Sequence, residues 1–491
     1  MPRAGGHVAE KYRERIVNGD PLRVVIWLAA PLVVAQIVNI SYNIVDSLWL
    51  SRLYEGALAV PRQVWPTLMF FYAIAMSLST ANLALISQFI GAERYEEASK
   101  TASKLLTFNL SLALVVCLIY YVLRPYIFTY VTTVPPELYK DVLSYSNIML
   151  LDIFFTYIGN AFTTVLQAIG DTRTPTYLNV AGALLNVVLD PIMIFGWFGF
   201  PAMGVAGAAI ATVVSRVLVA SAAVKMFVSG FRGIKLAIVK PDKQWILKSF
   251  KIALPLAVMQ MSNSLAFMTQ LRLVNTFGTV VAAAYSIGFT VMDIADATMF
   301  GFSQSTAIVV GQLIGAQLYS KARRSALLSS AFVGVVTAVS AVFVYMFRYP
   351  IASIFTSSAE VLSEATRFIE YFALTAPFFA VFFIGFAVGR GSGHTYVPSA
   401  IAFIRLWILR IALGYVLALG LGMGPVGIWL SMAISNIGGG VLALAWTYFG
   451  NWAKPVIETT PTVPRVATVP PSPRGLRDDE EESKCGCGEK F

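Results

Sequence analysis

Two stretches of the sequence repeat each other: "SQFIGAERYEEASKTAS" at residues 87–103 and "GQLIGAQLYSKARRSAL" at residues 311–327 align at an offset of 224 positions. The same offset pairs "PLVVAQ" from Pro31 with "PLAVMQ" from Pro255. Further along, "GVAGAAIATVVS" from Gly204 resembles "GPVGIWLSMAIS" from Gly424 at an offset of 220. The chain is therefore an internal duplication, and its fold must be built from two related halves.

The chain is strongly apolar. Of its 491 residues, 57% are hydrophobic and 13% are charged, and its mean hydropathy is +0.71. These values lie far from the globular average and indicate that the bilayer is the solvent. A helix needs roughly 20 mostly apolar residues to cross the hydrocarbon core. Twelve runs reach that length: 24–50, 60–87, 104–123, 142–169, 176–198, 203–228, 246–275, 280–312, 325–347, 363–389, 396–421 and 425–450.

These runs predict an all-α polytopic membrane protein. Only helices or a closed barrel can span a bilayer, and barrel strands are short, with about ten alternating residues. Six spans per copy return the chain to its starting side, so the two copies have the same orientation and a pseudo-twofold axis along the membrane normal. Such parallel repeats are typical of secondary transporters. The predicted parts are an N-terminal six-helix bundle (1–230), a cytoplasmic connector (231–250), a C-terminal six-helix bundle (251–450) and a disordered cytoplasmic tail (451–491).

The net charge of +10 is explained by topology. Loops on the side of the N-terminus hold 20 basic residues, among which we count Arg390, whereas loops on the other side hold six. This bias predicts that both termini are cytoplasmic in a multi-pass plasma-membrane protein. Orientation and lipid contact therefore account for the basic loops better than nucleic-acid binding does. No signal peptide is predicted, because residues 1–20 lack an apolar core.

Metal, cofactor and enzyme chemistry are not indicated. Cys117, Cys485 and Cys487 offer no disulfide framework, and two histidines form no metal cluster. The "CGC" of the tail is better explained by two reduced thiols than by a metal site, because further ligands are missing. The basic connector is expected at the lipid surface, with a regulatory role as the weaker alternative. We find no nucleophile motif, and we expect a monomer without cofactors that acts as a transporter, with a channel as an alternative.

A polar stripe runs along the first span. Gln36, Asn39, Asn43 and Asp46 are spaced by 3, 4 and 3 positions, which places them on one helix face. Tyr42 lies one turn from Asp46 beside the stripe. Since lipid cannot satisfy these groups, the stripe must face protein or water.

The fifth span carries a second acid. Asn186 and Asp190 are four residues apart and share a face. Pro191 frees a backbone carbonyl and favours a bend beside the acid. Ionisable groups inside membranes are functional-site hypotheses by default. Asp46 and Asp190 are therefore predicted to exchange a proton or to bind sodium with help from amide and hydroxyl oxygens; the alternative is that they only hold helices together.

The second half lacks these carboxylates. At the 224 offset the equivalent stripe consists of Gln260, Asn263, Phe267 and Gln270, so Gln270 corresponds to Asp46. At the same offset Gly414 corresponds to Asp190. Ion coupling is therefore expected in the first half, whereas the amides of Gln36, Asn43, Gln260 and Asn263 are candidates for the substrate cavity.

Two further acids, Asp293 and Asp296, lie on one face of the eighth span. They can line a cavity for a cationic substrate. They can equally neutralise Arg405 and Arg410 of the eleventh span, because buried charges usually pair. The sequence favours neither interpretation.

The motifs together resemble the multidrug and toxic compound extrusion (MATE) family. The resemblance covers nearly the whole span region and rests on the duplicated layout, on "QFIGAERYEEA" and "GQLIGAQLYSKA", and on "YNIVDSLWLSRL", "VLQAIGDTRTP" and "LLNVVLDPIMIFG" at residues 42–53, 165–175 and 184–196. It implies a V-shaped pair of bundles that exports organic cations against protons or sodium by alternating access.

The pattern is most similar to the DinF-like branch, in which the coupling acids lie in the N-terminal bundle. The resemblance then implies that Asp46 and Asp190 are those acids, with Asn186, Asn39 and Tyr42 as hydrogen-bonding neighbours and Thr212 as an additional cation ligand. Asn263 stands where the NorM-like branch has glutamate, which argues against a coupling site in the second half. A lipid-linked precursor flippase of the same superfamily is the alternative, and it would need a cationic cavity for a diphosphate.

Overall fold

The long apolar runs form long helices, as their composition predicts. The computed structural model describes residues 6–50, 52–53, 57, 59–132, 134–228 and 236–458, without the side chains of residues 6, 7, 227, 228, 293–295 and 297. Cys485, Cys487 and the predicted tail after residue 458 lie outside the described residues. The helices are α1 (Gly6–Asn18), α2 (Pro21–Leu50), α3 (Ala59–Gly91), α4 (Tyr95–Val131), α5 (Pro136–Ile169), α6 (Arg173–Phe195), α7 (Val205–Val228), α8 (Lys243–Asn275), α9 (Thr279–Gly315), α10 (Tyr319–Met346), α11 (Arg348–Ser353), α12 (Ala359–Ser392), α13 (Tyr396–Gly420) and α14 (Pro425–Phe449).

Twelve of these helices correspond to the twelve predicted spans. Eleven are long and apolar enough to cross a membrane within the described residues, and the twelfth, α9, is 37 residues long. The all-helical polytopic fold is therefore confirmed. The two halves also pack alike: α3 and α4 contact α5, and α5 contacts α7, just as α9 and α10 contact α12, and α12 contacts α14.

Side chains from equivalent positions join the halves at one end. Gln312 donates from Nε2 to the carbonyl of Ala168 at 2.8 Å, and Gln88 donates from Nε2 to the carbonyl of Ser392 at 3.0 Å. These two bonds are related by the 224-residue offset. The last residues of α3 and α9 are glycines, and the absence of a side chain lets the backbones of the two helices meet. A Cβ on Gly91 would lie 2.0 Å from the backbone carbonyl oxygen of Gln312, and one on Gly315 would lie 1.9 Å from that of Gln88.

The N-terminal segment, for which no structure was predicted, adds helix α1 to this end. Ala9 and Ile16 are buried, and Arg13 donates to the carbonyl of Gly91 at 2.9 Å. Lys321 of the second half donates to the carbonyl of Val17 at 2.5 Å. The joined end is thus covered by a short helix that contacts both halves.

The described part of the connector lies along α4. The backbone of Ala237 donates to Ser103 Oγ at 3.2 Å, and Asp242 pairs with Lys104. Helix α8 begins at Lys243, inside the predicted connector, because the side chain of Asp242 caps it by accepting from the Trp245 backbone at 2.8 Å. The hydrogen bond from Lys104 is the main cause that lowers the pKa of Asp242.

Candidate ion and substrate sites

The two predicted acids of the first half lie near each other, on α2 and α6. Asp190 is fully buried and Asp46 is half-buried, and the two carboxyls are close enough to interact electrostatically. Within the described residues, one buried oxygen of each, Oδ1, accepts no hydrogen bond. Helix α6 continues through Pro191 to Phe195. The pair therefore has unused acceptor capacity for a proton or a hard cation.

Asn186 links Asp190 to helix α7. In the amide orientation that satisfies both ends of its side chain, the nitrogen donates to Asp190 Oδ2 at 3.1 Å and the oxygen accepts from the Thr212 backbone at 3.1 Å. Asn39, Tyr42, Asn186 and Thr212 line one small cavity of about 50 Å³. Five of the six predicted ion-coupling residues thus form one group: these four line the cavity, and Asp190 is hydrogen-bonded to Asn186. The sixth, Asp46, is close enough to Tyr42 to interact with it electrostatically.

The remaining members of the α2 stripe differ in their surroundings. Asn39 donates to Gln36 Oε1 at 3.4 Å, so these two amides support each other. Asn43 is exposed and does not line the cavity that contains Asn39. The stripe therefore contributes Asn39, Tyr42 and Asp46 to the site more directly than Asn43.

A third acid in this region, Asp152, was not among the residues predicted from the sequence. Asp152 of α5 is buried, accepts from the Tyr72 hydroxyl and lies 3.3 Å from Arg216 Nε. Arg216 lines the same small cavity as Tyr42, and its side chain is half exposed. Asp152 stands inside the apolar run 142–169, so the rule that singled out Asp46 would have found it. Its arginine partner on α7 could be assigned only from the fold.

A larger cavity, of about 340 Å³, is lined mostly by residues of the second half, together with Met76, Ser77 and Thr80 of α3. Gln260, Asn263 and Asp296 line it, as candidates for the substrate cavity, whereas the side chain of Asp293 lies outside the described residues. Gln270, the counterpart of Asp46, is buried, and its amide atoms have no hydrogen-bond partner in the described part of the chain. Neither Gln270 nor Gly414 carries a carboxylate, so these two positions cannot form a counterpart of the Asp46–Asp190 pair.

Three arginines line the same cavity as Asp296: Arg390, Arg405 and Arg410. The two interpretations of Asp296 are thus not exclusive, since it faces the cavity and also interacts electrostatically with Arg405 and Arg410. The assignment of Arg390 to a cytoplasmic loop is wrong. It belongs to α12 and donates to Ser303 Oγ at 2.7 Å and to Gln304 Oε1 at 3.1 Å, because α12 extends to Ser392.

Comparison with known proteins agrees with this architecture. The chain is 23% identical over 432 residues to "Probable multidrug resistance protein YoeA" of Bacillus subtilis, covering 86% of this chain and 93% of the relative. It is 27% identical over 333 residues to "Probable multidrug resistance protein NorM" of Thermotoga maritima, covering 66% and 70%. The solved outward-facing structure of a multidrug resistance MATE family transporter of the MOP superfamily superposes with a TM-score of 0.82 at 21% identity, covering 88% of this chain and 96% of that one.

The family model MatE matches twice, at residues 31–192 and 255–416. The two matches begin at the prolines that open the internal repeat, and they cover more than half of the chain. Each match includes the α3 or α9 glycine at which the halves meet. This protein therefore belongs to the MatE family of multi-pass membrane transporters.

Proposed function

We propose that this protein is a secondary antiporter that exports organic cations, including drug-like molecules, in exchange for protons or sodium by alternating access. Within the family we place it in the DinF-like branch. The observation that carries the proposal is the pairing of Asp46 with Asp190 in a bundle whose counterpart has only Gln270 and Gly414 in those places.

Coupling follows from linkage. A transported ion drives another solute only if the two favour different conformations or compete for one site. A proton or sodium ion on Asp46 and Asp190 removes negative charge from the pair, which weakens the hold on a cation. Asn186 and Thr212 supply amide and hydroxyl groups that steady the acids or complete a sodium site, as hard cations prefer oxygen ligands.

The relatives named for multidrug resistance support the choice of cargo. The joined end, which holds Gln88 and Gln312, is on the predicted cytoplasmic side, so the arrangement corresponds to an outward-facing state in the plasma membrane. Protons or sodium would then enter the first half from outside while the substrate leaves.

The test is efflux of ethidium from proteoliposomes, driven separately by an imposed proton gradient and an imposed sodium gradient. Asp46→Asn is compared with wild type and with Ser41→Ala, a change at an exposed residue of the same helix. We expect one gradient to drive efflux in wild type and Ser41→Ala but not in Asp46→Asn. Equal gradient-driven rates in all three proteins would refute coupling through Asp46.

A lipid-linked precursor flippase is the second candidate, because such a protein needs a cationic cavity and three arginines line the cavity of the second half. Translocation of a lipid-linked diphosphate precursor in proteoliposomes, without gradient-driven ethidium efflux, would favour it over the antiporter.

A further inference from the structure

The 340 Å³ cavity, which is lined mostly by the second half, has an excess of positive charge. Arg390, Arg405 and Arg410 line it, against the single described acid Asp296. Counting Asp293 as well, although its side chain is outside the described part, would still leave the arginines in the majority. Arg405 and Arg410 are only 7% and 4% exposed, so these charges are withdrawn from bulk solvent.

Several N–H donors of these arginines are unused. Within the described part of the chain, the buried Nε atoms of Arg390, Arg405 and Arg410 and the Nη2 atom of Arg410 have no hydrogen-bond acceptor. Arg405 Nη1 donates to Asn436 Oδ1, but at the long distance of 3.4 Å. Buried guanidinium donors without acceptors are costly, so the cavity is preorganised for a group that supplies acceptor oxygens.

The backbone of α13 explains how the two arginines reach one cavity. Residues five apart on an α-helix are turned by about 140° from each other. Ile404–Ala412, however, is a π-helical segment, whose bonds run from residue i to i+5 and so stack such residues on adjacent turns. Arg405 and Arg410 therefore share a face, and π-helical turns are frequent at functional sites.

Phenylalanine rings make up much of the remaining wall. The Arg405 guanidinium lies 4.5 Å from the ring centre of Phe382, and the Arg410 guanidinium lies 5.6 Å from that of Phe267. These cation–π contacts stabilise the charges. They use the face of the guanidinium, so the N–H groups in its plane can still donate hydrogen bonds to a ligand. The result is an apolar cavity with a few convergent donors, which is how ligand sites are usually built.

We propose that this cavity binds an amphipathic organic anion, whose carboxylate, phosphate or sulfonate is held by Arg405 and Arg410 and whose apolar body packs on the phenylalanines. Arginine suits this role because its planar donors match the oxygens of such anions. Asp296 opposes the anion and limits how tightly it is held. The inference concerns binding alone and does not depend on ion coupling at Asp46 and Asp190.

The experiment measures binding by calorimetry to the full chain in phosphatidylcholine nanodiscs. The probes are 2-naphthoate and its cationic counterpart 2-naphthylmethylammonium. We expect the anion to bind more tightly than the cation. Equal affinity for the two probes, tighter binding of the cation, or binding of neither would overturn the proposal.

Variants locate the site. Arg405→Gln and Arg410→Gln should each weaken 2-naphthoate binding by about tenfold or more, whereas Arg324→Gln, a change at an exposed arginine of α10, should not alter it. Asp296→Asn keeps every arginine and should strengthen binding, so the proposal remains testable if an arginine variant does not fold. Unchanged affinity in Asp296→Asn and in folded Arg405→Gln would refute the assignment.

Phosphatidylglycerol in the nanodiscs distinguishes a lipid from a soluble anion. If the lipid headgroup occupies the cavity, phosphatidylglycerol will lower the apparent affinity of wild type for 2-naphthoate. If the ligand is a soluble anion, the affinity will be the same with and without phosphatidylglycerol. Either result supports the anion site, because both require 2-naphthoate to bind through Arg405.

Discussion

Replacing Gly315 by alanine tests how the two halves close against each other. The added Cβ would lie 1.9 Å from the Gln88 carbonyl oxygen, and real Cβ contacts are essentially never under 3.0 Å, so the backbones must separate by about 1.1 Å. Gly315 is the last residue of α9, and its backbone conformation is one that alanine adopts without strain. The substitution is therefore a steric wedge at the joined end.

The expected magnitude follows from the cost of overpacking. Inserting a methyl group into a packed contact costs about 1–3 kcal/mol, and the opposing atom here is backbone, which cannot rotate away. If the wedge acts only on the closed arrangement, the ratio of closed to open molecules falls by about 5–150-fold. Gly91→Ala should act in the same way, because its Cβ would lie 2.0 Å from the Gln312 oxygen.

Electron-spin distance measurements between the halves follow this shift. Spin labels at the exposed positions Lys100 and Ser320, in a protein whose native cysteines are replaced by serine, report on the joined end. Gly315→Ala should add a population at longer distance. Gly159→Ala is the matched control, because a Cβ there would meet nothing within 4 Å. Identical distance distributions in Gly315→Ala, Gly159→Ala and wild type would refute the close-contact argument.

Two further predictions concern buried and capping acids. Tyr72→Phe should destabilise the protein by about 1.5–3 kcal/mol, because the buried carboxylate of Asp152 loses the hydrogen bond that the Tyr72 hydroxyl donates. In a thermal melt, Tyr130→Phe, a change at an exposed tyrosine, should leave the melting temperature at the wild-type value. A melting temperature that is equally unaffected in Tyr72→Phe would contradict the pairing. Asp242→Ala should cost about 1 kcal/mol through the lost helix cap. Because the pKa of Asp242 is lowered by Lys104, its contribution should be fully present above about pH 4 and lost as the pH falls through that lowered pKa. Stability curves of wild type and Asp242→Ala that stay equally far apart at lower pH would contradict this.

The sequence was sufficient for the architecture, because a membrane span is decided by local composition. Twelve apolar runs predicted twelve helices, and the repeat predicted equivalent packing in both halves. It was insufficient for α1, whose mean composition is polar and whose buried residues, Ala9 and Ile16, find their partners only in the folded protein.

The grouping of the first-half candidate residues was predictable, because helical spacing placed those of each helix on one face. Asn186 and Asp190 share a face in any α-helix, and the structure places them accordingly. Arg405 and Arg410 were different, since α-helical spacing puts them on separate faces and only the π-helical segment brings them together. Arg390 was assigned to a loop because a charged residue at the end of an apolar run is usually taken to lie outside the helix, whereas α12 continues to Ser392.

The most direct test of ion coupling is the release of the coupling ion when substrate binds. In weakly buffered detergent solution, addition of ethidium to wild type should release protons, measured with a pH-sensitive dye, or displace bound radioactive sodium. We expect that Asp46→Asn and Asp190→Asn abolish this release, whereas Ser41→Ala keeps it. Undiminished ion release from the double variant Asp46→Asn and Asp190→Asn would contradict coupling through this pair.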